Sequence, residues 1–161
     1  SHAWIKVGEE KRIKSNSGRN RINISGAYNP DTQDIIFTEV KKTLKGETLI
    51  PHLQKIEAYY PNKATIYAIV DGAPYYHGEK VLDYLKTSRI EWIKLPAYSP
   101  NLNLIERLWK LMRKKAINNV YYEKYKDFKT AILAFLNNES DAFKAELRQF
   151  IGFKLHLFDS S

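Results

Sequence analysis

The chain has 161 residues, enough for one domain with a substantial core, and carries 26 Lys and Arg against 18 Asp and Glu for a formal charge of +8. It contains no cysteine, which excludes disulfides, thiolate metal sites and a cysteine nucleophile. No apolar run approaches the roughly 18 residues of a membrane span, and the basic balance suits a polyanionic partner or a generally basic surface equally well. A cytoplasmic, nucleoid-associated protein is expected.

A polar, basic piece, GEEKRIKSNSG, reads as a short extended excursion or loop. From Arg19 to Val40, Ile22 and Ile24 alternate with polar neighbours, YNPDTQD interrupts, and Ile35, Ile36 and Phe37 resume. This predicts two strands joined at Asn29-Pro30-Asp31. After Gly46, the spacing of Leu49, Leu53, Ile56 and Tyr60 predicts a helix that stops at Pro61, with Pro51 early enough to be tolerated.

ATIYAIVD is apolar almost throughout and predicts a strand buried on both faces. HGEKVLDYLKTS reads as a helix and IEWIKLP as a strand. A strand, a helix and a strand in succession imply a parallel pair, hence an α/β sheet. From Leu102 to about Phe150 the pattern is helical.

Asp71 closes the buried strand. Strand ends of parallel sheets are where reacting groups gather, although aspartate also caps helices well. Gly72 would let the backbone turn there. In the later helix, Leu104, Ile105, Leu108, Leu111 and Met112 form one apolar face. Glu106, Lys110 and Arg113 lie on another, where Glu106 and Lys110 could simply pair at i, i+4.

VDGAPYYH followed by LPAYSPNLNLIERLW resembles the catalytic region of DDE transposases, specifically the mariner-like superfamily and its bacterial insertion-sequence relatives. Thirty-four residues separate Asp71 from Glu106, the family spacing. The resemblance implies a single ribonuclease H-like domain over residues 1–161, with helices on a mixed sheet. It implies metal-dependent phosphoryl transfer for DNA cleavage and strand joining, with Asp71 and Glu106 as catalytic acids and ligands of Mg²⁺ or Mn²⁺.

It further places His77, Tyr98 and Ser99 beside the site, with Pro100 completing the turn before the catalytic helix. Trp109 matches the family tryptophan and is read as packing. Arg107, Lys110, Arg113, Lys114 and Lys115 form a basic cluster suited to DNA phosphates, though cations at a helix end also complement its dipole. His2, His52 and His156 have no ligand spacing.

One departure carries weight. The family's first aspartate lies on the first strand, upstream of a tryptophan and glycine like Trp4 and Gly8, so that strand is expected to precede Ser1. The chain then lacks its first strand and first acid, and Asp31 and Asp34 sit in a hairpin turn. Two readings follow: a DDE transposase catalytic domain, or a catalytically incomplete DNA-binding or dimerising fragment of one. The partners implied are element-end and target DNA and a second copy, with no membrane. A missing central strand would leave the strand before Asp71 unpaired, to be relieved by a second copy, by strand exchange or by recruiting AWIKVGEEKRIK.

Overall fold

The computed structural model describes residues 1–15, 18, 20–41, 44–95 and 104–152. In chain order these form β1 (His2–Lys14), β2 (Arg21–Asn29), β3 (Asp34–Val40), α1 (Gly46–Tyr59), β4 (Thr65–Val70), α2 (Glu79–Leu85), β5 (Ile90–Lys94), α3 (Leu104–Met112), α4 (Tyr125–Leu136) and α5 (Asp141–Ile151). The strands make one mixed sheet in the order β3-β2-β1-β4-β5, the ribonuclease H-like arrangement. β1 is antiparallel to β2 and parallel to β4, and β4 is parallel to β5.

The central place is held by the N-terminal segment itself. His2 to Lys6 pair with Thr65 to Ile69, so β4 is flanked on both sides. The sheet therefore does not lack its central strand, contrary to expectation: the AWIKVGEEKRIK segment forms it and leaves no unpaired β4. GEEKRIK is therefore the second half of a long strand rather than a loop.

Alternation decides which layer each side chain joins. Ile5 and Val7 of β1, Ile66 and Ala68 of β4 and Ile90 of β5 bury against α1 and α2, with Leu49, Leu53, Ile56 and Val81. Ile13, Ile22, Ile24, Tyr28 and Ile69 bury on the opposite face, against α3, α4 and α5. All five residues of the expected α3 stripe are buried, and Trp109 with them. Trp109 thus packs in the core, as its place in the sequence suggested.

Two helix details differ from expectation. Because α1 begins at Gly46, Pro51 lies inside the helix rather than at its entry. The helical stretch after Leu104 is also divided: α3 widens into a π turn over Arg113–Ile117, where the Asn118 N–H donates to the Arg113 carbonyl at 2.6 Å. No helix among the described residues is long and apolar enough to cross a membrane.

Candidate active site

Asp71 follows the last residue of β4 and is exposed. Its Oδ1 accepts the Ala73 N–H at 2.8 Å, a local turn of the kind aspartate favours. The chain then makes a 3₁₀ turn at Pro74–Tyr76, whose Tyr76 carbonyl accepts the Trp92 indole N–H of β5 at 2.7 Å. The His77 Nε2–H donates to the Asp71 carbonyl at 3.2 Å. His77 therefore braces the backbone at Asp71. Gly72 does not have positive φ, and a Cβ there would make ordinary contact with Lys94 at 3.5 Å. The turn uses no conformation reserved for glycine.

Glu106 is carried by α3, and the seat of that helix is built from glycines. Gly8 of β1 and Gly26 of β2 are direct register partners. A Cβ on Gly8 would stand well inside contact distance of Ile105, and one on Gly26 would lie 2.5 Å from the Trp109 ring. The absent side chains let α3 approach the sheet closely. Ile105 and Trp109 flank Glu106, so its exposed carboxylate is fixed by two buried anchors.

Both acids act on one group, which motif reading did not single out. Lys6 lies opposite Ile69 in the β1–β4 register, on the face covered by α3, and is 1% exposed. Its ammonium donates to the Val7 carbonyl at 2.8 Å. Burial pushes its pKa down to about 8, against attraction to Asp71 first, then Glu106 and Glu9. Asp71 and Glu106, with 34 residues between them, thus both attract one buried ammonium.

Glu9 and Glu10 follow on alternate faces. The Tyr76 hydroxyl donates to Glu9 Oε1 at 2.8 Å. Burial pushes the Glu9 carboxyl up to about 7, opposed by the Ser25 and Tyr76 hydroxyls and by Lys11, with Asp71 adding to the rise. Glu10 is raised by burial too, with Arg113 opposing as its ion-pair partner and Glu106 adding. Among the described residues no three His, Asp or Glu side chains converge to hold a metal ion.

The remaining sequence expectations divide. Tyr98, Ser99 and Pro100 lie outside the described residues. Of the five cations expected to meet DNA, Arg107 donates to the Ile151 carbonyl at 2.8 Å, Arg113 pairs with Glu10, and Lys115 pairs with Glu146 at 2.5 Å. Lys110 and Lys114 are exposed. Asp34 is bound by Tyr59, Thr32 and Lys144, and it pairs with Asn29 from the edge strand β3, which β2 and β1 separate from β4. His52 is wholly buried against Thr38, with ring nitrogen and hydroxyl oxygen 3.0 Å apart, and burial lowers its pKa to about 4.

The profile of the DDE superfamily endonucleases matches residues 1–129. Among solved structures, the catalytic domain of the Mos1 mariner transposase superposes with a TM-score of 0.69 at 17% identity, covering 94% of this chain and 78% of that one. The Mos1 catalytic domain solved with Raltegravir and Mg gives 0.68 at 18% identity, over 94% and 81% of the two chains. The Mos1 strand transfer complex gives 0.67 at 17%, with 94% of this chain but 52% of that one covered. No curated protein matches the chain.

Proposed function

The chain belongs to the DDE endonuclease superfamily, and on that premise we propose that it is a transposase catalytic domain whose Asp71 and Glu106 serve phosphoryl transfer on DNA. The observation that supports this most directly is that both acids, one at a strand end and one on a helix, attract the same buried ammonium of β1.

The donor chemistry fits one hard divalent cation. Two carboxylates are adequate for a Mg²⁺ or Mn²⁺ ion that keeps much of its water shell, and the ion supplies charge neutralisation for in-line displacement at a phosphodiester. The chain's own residues supply the positioning. The Ala73 N–H and His77 hold Asp71 and its backbone, while Ile105 and Trp109 on the glycine pair hold Glu106. A pair of ions would need a further carboxylate; β1 brings the Lys6 ammonium into the field of both acids, with Glu9 in the field of Asp71 and Glu10, paired with Arg113, in that of Glu106.

The Lys6 ammonium beside the two acids supports a second reading for this chain acting by itself: a DNA-binding or dimerising unit that cleaves slowly or not at all. Asp34 is no candidate for a further acid, because Tyr59, Thr32 and Lys144 hold it on β3, an edge strand separated from β4 by β2 and β1. DNA is the proposed partner in both readings, and bringing two ends together would call for a second copy.

Single-turnover cleavage of an element-end duplex with Mg²⁺ or Mn²⁺, together with equilibrium binding of the same duplex, separates the readings. Cleavage abolished by Glu106→Gln supports the intact nuclease. Binding without cleavage supports the incomplete one. Absence of both would refute the assignment to DNA.

A further inference from the structure

β1 is longer than its partner β4. Pairing between them runs from His2 to Lys6, β4 ends at Val70, and β1 continues to Lys14. Because the two strands are parallel, the excess projects past the strand end that carries Asp71, by roughly 20–25 Å at the usual rise per residue. It remains paired only to β2, through Glu10 with Ile24, Ile13 with Ile22 and Lys14 with Arg21, while β3 pairs no further along β2 than Asn23.

This two-stranded ribbon has two unlike faces. Ile13 and Ile22 are buried, at 7% and 3% exposure, in the cluster formed with α3. Lys14 and Arg21, paired across the strands, are exposed, as are Lys11 and Arg12. Arg12 takes φ 53 in a bulge, with its N–H held by Asn23 Oδ1 at 2.7 Å. A bulge re-aims the side chains beside it. The Lys11 ammonium lies 4.7 Å from the Tyr75 ring centroid, in the turn that follows Asp71. Among the described residues none of the four cations makes a salt bridge, whereas Arg113 and Lys115 of the α3 cluster are both paired.

We propose that Lys11, Arg12, Lys14 and Arg21 form a docking track for the phosphate backbone of duplex DNA, leading to Asp71. The proposal rests on the reading of the chain as a DNA-acting domain and names the surface that reading lacked. Charge decides the occupant. Four cations that make no salt bridge among the described residues, on a ribbon whose Ile13 and Ile22 are already buried, offer little to an apolar surface and suit a row of phosphates.

The test is fluorescence anisotropy of a labelled duplex across a salt series, with the chain as it stands and with Lys11→Gln, Arg12→Asn, Lys14→Gln and Arg21→Gln combined. Asn suits the left-handed position. If each cation meets one phosphate, the slope of log K against log salt falls by about 3.6, with at least about tenfold weaker binding near 0.1 M salt. A second variant, with each lysine changed to arginine and each arginine to lysine, keeps the charge and is expected to keep the slope. Equal loss in both variants would overturn the proposal, since damage to the ribbon would then be the cause. An unchanged slope in the neutral variant, with the parent chain still binding, would overturn the track and leave the DNA assignment standing. Failure of the parent chain to bind duplex DNA at low salt would overturn both.

Discussion

Gly8 and Gly26 face each other across β1 and β2, and neither has room for a side chain, because Ile105 and Trp109 rest directly on them. This contact joins the sheet to the helix that presents Glu106. Adding a methyl group at Gly26 must displace the Trp109 ring or lift α3. Gly26→Ala is therefore expected to destabilise the fold by about 1–3 kcal/mol, the usual cost of overpacking. Urea denaturation measures it, and an unchanged midpoint would mean that α3 is not seated on the glycines.

Two buried groups give opposite pH dependences. The pKa of His52 is lowered to about 4, from about 6.5 in the open chain, so its contribution is present above pH 6.5 and is lost as the pH falls towards 4. The pKa of Glu9 is raised to about 7, from about 4.5, so its contribution is full below pH 4.5 and is lost as the pH rises through 7. Between pH 4.5 and 6.5 the two slopes oppose one another, each by up to about 1.4 kcal/mol per pH unit. His52→Gln should leave stability rising as the pH falls, and Glu9→Gln should leave it falling. Chemical denaturation of both variants across that window checks the signs; slopes of the same sign would show that one burial is wrongly assigned.

The α3 cations are not equivalent. Arg107, Arg113 and Lys115 hold Ile151, Glu10 and Glu146, which leaves Lys110 and Lys114 as the exposed pair on that helix. Neutralising these two should lower the salt slope of DNA binding by up to about 1.8. Neutralising Arg113 should instead act on stability, because it strands the buried Glu10. Anisotropy and denaturation on the same variants distinguish the two effects, and a full phosphate-sized change in slope from Arg113→Gln would show that its pairing with Glu10 yields to DNA.

Most elements were legible because their patterns are local. Alternation marked β2 and β3, the apolar run marked β4, and the i, i+3, i+4 stripe marked α3. Asp71 and Glu106 stood out as a spaced motif, and both attract the buried Lys6 ammonium, which no motif marked. β1 was obscured by its own polarity. Lys6 interrupts its inner half, and Glu9, Glu10, Lys11 and Arg12 follow in its outer half, so no apolar alternation survives there. The glycine seat and the pairing of Glu10 with Arg113 depend on contacts between residues far apart in sequence, which no local period can report.

Mn²⁺ binding by the chain itself tests the central claim, that Asp71 and Glu106 share one place with a buried lysine beside it. Calorimetric or paramagnetic titration should find one weak site, lost in both Asp71→Asn and Glu106→Gln. Lys6→Asp, which exchanges an ammonium for a third carboxylate, should tighten it at least about tenfold, an effect of about 1.4 kcal/mol. Circular dichroism confirms that each variant keeps its fold. Binding indifferent to both acids, or unchanged by Lys6→Asp in a folded chain, would contradict the site described here.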